Sequence, residues 1–204
     1  MIDERVADPS GAGFDPVRLQ RVADYARAFV DDNLMVGTDV LVARRGKLAL
    51  RSTAGLADQE TGVPVGSDTL WRIFSMTKPV TSVALMQLVE EGTVRLRDPL
   101  ADFVPAFADP QVFTGGTVDD PQTTQANRPI NIADLLSHTA GLSYGIVNQH
   151  PVDEMYRRQG LIGGRSAGSL ESVVDVIASL PLRHHPGTRW SVSYTHLRAH
   201  GTDS

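Results

Sequence analysis

Apolar positions change their period several times along the chain, and each change marks an element. Leu19, Val22, Ala26, Phe29 and Val30 recur at helical spacing, with Asp15 placed to cap and Pro16 suited to the first turn. The spacing predicts a helix from about residue 16 to 31. Val40, Leu41, Val42 and Ala43 then lead into Arg44-Arg45-Gly46-Lys47, and Leu48, Ala49 and Leu50 follow, the pattern of a β-hairpin. After a glycine- and proline-punctuated stretch, a short strand is expected over Thr69–Ile73. From Val80 to Val89 no residue is charged. A helix apolar on nearly every face is a buried one, so this segment is expected in the interior, ending at Gly92. Residues 108–130 carry Gly, Pro, Asp, Thr and Gln and read as a long irregular insertion. Three further helices follow: one capped by Asn131 and running through Leu136, one over Pro151–Arg158 ending at Gly160, and one capped by Ser169. The last places Leu170, Val173, Val174, Ile177 and Leu180 on one face before Pro181 stops it.

Composition narrows the function classes. The 204 residues suit one domain, or two at most. Hydrophobic residues at 41% and charged residues at 21% exclude disorder driven by charge. Nineteen basic residues stand against 24 acidic ones, spread along the chain, which leaves no footprint for nucleic acid or an anionic membrane. Zero cysteines exclude disulfides, iron–sulfur clusters, thiolate zinc sites and cysteine nucleophiles. No stretch approaches 18 apolar residues and the first 16 lack a basic, apolar leader, so a cytoplasmic location is expected. No cofactor is expected either. Gly115-Gly116 and Gly163-Gly164-Arg165 do not join a strand to a helix through Lys-Ser/Thr, as a phosphate loop would. His138, His150, His184 and His185 have no carboxylate at ligand spacing within a regular element, which argues against a metal.

Chemistry concentrates at Ser75-Met76-Thr77-Lys78, where the expected short strand turns into the apolar helix. With 14 Ser and 2 Lys in the chain, random placement gives roughly 0.14 such S-x-x-K matches. Residues three apart on a helix are neighbours, so the Lys78 amine can reach the Ser75 hydroxyl. A helix starting at Ser75 would also aim free backbone N–H groups and its positive dipole end at the reacting centre. An activated hydroxyl and a ready oxyanion donor are what acyl transfer needs. Lysine suits the role in a chain that otherwise uses 17 Arg, because a desolvated lysine can lose its proton and arginine stays charged. The rival reading of Ser75 is a helix cap with Lys78 solvated in the first turn.

The segment Trp71-Arg72-Ile73-Phe74-Ser75-Met76-Thr77-Lys78-Pro79 resembles the nucleophile motif of the serine β-lactamase and penicillin-binding superfamily. It is most similar to the class C β-lactamase-related branch that includes the family VIII carboxylesterases. Leu135-Leu136-Ser137-His138-Thr139-Ala140-Gly141-Leu142 resembles that branch's second hallmark. Gly37–Gly55 resembles its first hairpin and Val94–Leu100 its post-helix loop, while Pro186-Gly187-Thr188-Arg189-Trp190 is like the segment before its catalytic tyrosine. In that family a tyrosine follows the tryptophan by two residues; here the position holds Val192, and Tyr194 does not match.

The resemblance implies an α+β fold of the β-lactamase/transpeptidase type, with helices flanking an antiparallel sheet beside a mostly helical subdomain. On that reading residues 1–191 are the N-terminal part of one catalytic domain, sheet-forming over about 1–74 and helical over about 75–191, with the sheet incomplete. Residues 192–204 resemble a translated sequencing adapter and are read as a non-native tail. The implied activity is a carboxylesterase cleaving short-chain esters through an acyl-Ser75 intermediate, with Lys78 as proton acceptor or relay. β-Lactam or D-alanyl-D-alanine peptide hydrolysis is the alternative, and a non-catalytic binding protein of the same fold a second. The implied partner is a small-molecule ester. The family's tyrosine and its later cleft motif are missing, so turnover by these 204 residues alone is not expected.

Overall fold

The computed structural model describes residues 8–145, 150–161 and 168–192, and divides into two compact units, Met1–Arg72 and Ile73–Ser204. In the first unit, helix α1 (Pro16–Asp31) starts where the sequence places it. The Asp15 carboxylate accepts the Arg18 N–H at 3.0 Å, and Pro16 occupies the first turn. Strands β1 (Gly37–Arg44) and β2 (Lys47–Asp58) form the expected hairpin in antiparallel register, with Val40 opposite Ser52. Arg45 and Gly46 both have positive φ, as the tightest right-twisting turns require. Gly55 also has positive φ, and a Cβ there would lie 2.2 Å from the Val36 carbonyl oxygen, so only glycine lets the strands approach. A two-residue strand, β3 (Val63–Pro64), pairs with the end of β2. Ala12, Leu19 and Ala49 form a small core under Phe14, Val42 and Leu50.

No strand forms over Thr69–Ile73. Its residues alternate suitably, but no neighbouring strand pairs with them among the described residues, and the Leu70 side chain is 97% exposed. A strand without a ladder partner gains nothing from extended geometry.

The second unit opens with a 3₁₀ turn, Phe74–Met76, leading into α2 (Thr77–Glu90). Helices α3 (Ile132–Leu136), α4 (Pro151–Arg158) and α5 (Leu170–Ser179) form where the sequence places them; Asn131 and Ser169 accept a first-turn N–H as expected, and His150, not foreseen as a cap, does the same for α4. At α3 the Asp134 carboxylate also takes the Asn131 N–H, completing a capping box. The stretch 108–130 is not irregular throughout. It holds a second antiparallel hairpin, β4 (Gln111–Gly116) and β5 (Pro121–Gln125), and Val112 bridges in parallel to Leu182. Turn-forming residues in β5 hid a strand held by pairing rather than by propensity. The core gathers Ile130, Ala140, Val152, Tyr156, Ile177 and Leu182, all within a few per cent of full burial.

Helix α2 departs furthest from expectation. It is apolar on all faces, yet none of its residues is buried among the described residues. Leu85 and Val89 pack against the core, whereas Val80 and Val83 are 62% and 61% exposed. Burial of such a helix needs cover on every side, and the described residues supply it on one.

Candidate active site

Ser75 and Lys78 are brought together by local backbone geometry. The α-helix begins at Thr77, so Ser75 lies in the preceding 3₁₀ turn and is not the first α-helical residue. Phe74, immediately before it, has φ of 42°, a left-handed conformation that costs a side chain of this size about 1–3 kcal/mol. The first hydrogen bond of the turn runs from Met76 N–H to the Ile73 carbonyl at 2.9 Å, so the Ser75 N–H precedes the bonded series. Lys78, one turn on, donates from Nζ to Ser75 Oγ at 3.3 Å. No side chain caps the turn or the helix, so the hydroxyl is committed to lysine rather than to a cap. Ser75 is exposed and Lys78 half-buried, a more open setting than the desolvated helix end expected from the sequence.

Tyr144 lies against Lys78, and a His138–Trp190 ring pair belongs to the same unit. Lys78 Nζ lies over the face of Tyr144, 5.8 Å from the ring centroid, a distance at which a protonated lysine gains a cation–π attraction. His138 follows α3 in a left-handed conformation, φ 59°, with its ring edge-on to Trp190 at 6.2 Å. Burial, reinforced by the nearby Lys78 charge, holds the His138 imidazole below its ordinary pKa, so it is neutral at pH 7. The Ser191 N–H donates to the His138 carbonyl at 2.9 Å, which places residues 190–192 beside this turn. Val192, standing where the resemblance calls for tyrosine, therefore brings only an apolar side chain to this region. Tyr194 lies outside the described residues, as do Gly163-Gly164-Arg165.

Among the described residues, two carboxylates of this unit are buried. Asp134 receives Arg128 at both oxygens, at 2.6 and 2.9 Å, together with the Asn131 N–H and the Thr139 hydroxyl. Burial alone would raise its carboxyl, but the Arg128 and Asn131 hydrogen bonds outweigh that and hold it below the usual carboxylate range. Asp153 accepts the Ser143 hydroxyl at 2.5 Å and faces Arg183 at 3.5 Å. Tyr144 and His138 were not singled out as site residues by the sequence. The signal available was their place in and directly after the Leu135–Leu142 motif, framed by Gly141 and Gly145, both at positive φ. Among the described residues no group of three or more potential ligands could hold a metal ion.

The beta-lactamase family profile matches residues 22–198. The sequence is 39% identical over 170 residues to protein Rv1367c of Mycobacterium tuberculosis, covering 83% of this chain and 41% of that protein. It is 32% identical over 193 residues to esterase EstB of Burkholderia gladioli, covering 91% of this chain and 45% of that one. Among solved structures it is similar to EstCE1, described as a hydrolase with promiscuous acyltransferase activity. That superposition has a TM-score of 0.71 at 30% identity, over 87% of this chain and 44% of the other. The chain spans less than half the length of each of these relatives.

Proposed function

The chain belongs to the beta-lactamase family, a serine hydrolase superfamily, and has its β-lactamase/transpeptidase-like α+β fold; from that premise we propose that it is part of a carboxylesterase acting on short-chain esters. The observation that carries this reading is the exposed Ser75 hydroxyl held at 3.3 Å by the Lys78 amine. Similarity to EstB and EstCE1 favours an ester over a β-lactam or a D-alanyl peptide.

In the proposed reaction Ser75 Oγ attacks the ester carbonyl carbon while its proton passes to the Lys78 amine. The carbonyl oxygen becomes an oxyanion, which the Ser75 N–H would help to hold. Collapse of this intermediate breaks the carbon–alkoxy bond, and the departing alkoxide takes the proton back from Lys78. Water then attacks the acyl carbon and passes a proton to Lys78; the bond from that carbon to Ser75 Oγ breaks, Oγ takes the proton from Lys78, and the carboxylic acid leaves. The π-face of Tyr144 favours the ammonium that Lys78 becomes in the first step, and so favours the transition state leading to it.

First-turnover bursts test the substrate class. A chromogenic short-chain ester should release close to one equivalent of alcohol per chain, well ahead of any opening of a chromogenic cephalosporin. A burst with the cephalosporin alone would transfer the reading to β-lactam or peptide hydrolysis, and a burst with neither would contradict acyl transfer.

A further inference from the structure

Among the described residues of the second unit, Ser143 and Asp153 are deeply buried polar side chains, at 0% and 1% exposure, in a core built mainly from apolar residues. A buried hydroxyl and a buried carboxylate are tolerated there only when each is hydrogen-bonded. Ser143 Oγ donates to Asp153 Oδ1 at 2.5 Å and accepts the Gly145 N–H at 3.1 Å. One oxygen atom thus ties together the residues on either side of Tyr144. Asp153 is itself fixed in the first turn of α4, where its N–H donates to the His150 carbonyl at 2.9 Å, and its carboxylate faces Arg183. The Arg183 N–H donates to the Gly141 carbonyl at 2.7 Å, anchoring the start of the same loop. The loop's outward product is the Tyr144 ring lying against the Lys78 ammonium.

We propose that Asp153 is a positioning residue for the Ser75–Lys78 pair: through Ser143 it fixes the 143–145 loop and sets the Tyr144 ring against the Lys78 ammonium, keeping the amine in reach of Ser75 Oγ. The proposal rests on the acyl-serine reading above. It assigns Asp153 no contact with substrate. Its effect belongs to the bond-forming step, and not to the affinity with which a substrate or inhibitor first docks.

The test is the rate at which a fluorophosphonate acylates Ser75 in the full chain, resolved into docking affinity and maximal labelling rate. Asp153→Asn, Ser143→Ala and Tyr144→Leu should each lower the maximal rate by about tenfold, the scale of a lost cation–π contact, with docking affinity unchanged. Combining Asp153→Asn with Tyr144→Leu should cost no more than Tyr144→Leu alone, because both act through one ring. A merely structural role for Asp153 would instead multiply the two losses. Parental labelling rates in folded Asp153→Asn and Ser143→Ala would overturn the proposal while leaving the acyl-serine reading intact. Should both of those variants fail to fold, Tyr144→Leu still decides: labelling at the parental rate would overturn the proposal. A parental chain that takes no label at Ser75 would overturn the acyl-serine reading and, with it, this one.

Discussion

The 3.3 Å contact between Lys78 and Ser75 suits the proposed proton transfer, a role that charge alone cannot fill. Arginine would keep the positive charge but could not accept a proton. Lys78→Arg should therefore slow acylation of Ser75 at least 10²-fold in a chain that remains folded, measured as fluorophosphonate labelling against a urea-unfolding control. Near-parental labelling would remove Lys78 from the proton path. The histidines make a second prediction at this scale. Burial is the leading cause that holds His138, His150 and His184 below the ordinary value, with Lys78 adding to it at His138 and Arg183 at the other two. The unfolded chain takes up these protons near pH 6.5, whereas the folded chain takes them up only at lower pH. The folded state thus binds fewer protons in that window, so stability falls as pH drops below about 6.5. Asp134 stays charged there, since its own contribution is lost only as pH falls through its lowered value. Urea midpoints at constant ionic strength should decrease from pH 7.5 to pH 5; a flat profile would contradict the assignment of neutral, buried histidines.

Elements with local chemistry at their ends were legible in the sequence, and those made by pairing were not. Asp15, Asn131 and Ser169 announce their helices because a cap needs only the next three residues. The β4–β5 hairpin was hidden because Gln122, Thr123 and Thr124 look like loop residues until Val112 and Phe113 stand opposite Thr124 and Thr123. Thr69–Ile73 shows the reverse error, a strand-like pattern with nothing to pair it. The same division runs through the site. Ser75 and Lys78 lie three residues apart and could be read directly, while Tyr144 and His138 reach them only through tertiary folding. Helix α2 turns this into a stability prediction. Leu85 packs on the core, so Leu85→Ala should cost about 2 kcal/mol in urea unfolding. Val83 is 61% exposed, so Val83→Thr should stay within about 0.5 kcal/mol. Equal costs would mean that the outer face of α2 is covered.

At the scale of the whole molecule, acylation and turnover separate. Ser75 and Lys78, the proposed nucleophile and proton acceptor, belong with Tyr144, His138 and Trp190 to one compact unit, Ile73–Ser204. Val192 offers no hydroxyl where the resembled family carries its tyrosine, so Lys78 is left without that second proton carrier over a full turnover. The chain is thus expected to accept an acyl or phosphonyl group without sustained ester hydrolysis. The most direct test is the stoichiometry and location of fluorophosphonate labelling in the 204-residue chain, read by peptide mass mapping. Close to one equivalent is expected, carried on the peptide containing Ser75 and absent from Ser75→Ala. No label, or a label undiminished in Ser75→Ala, would contradict it.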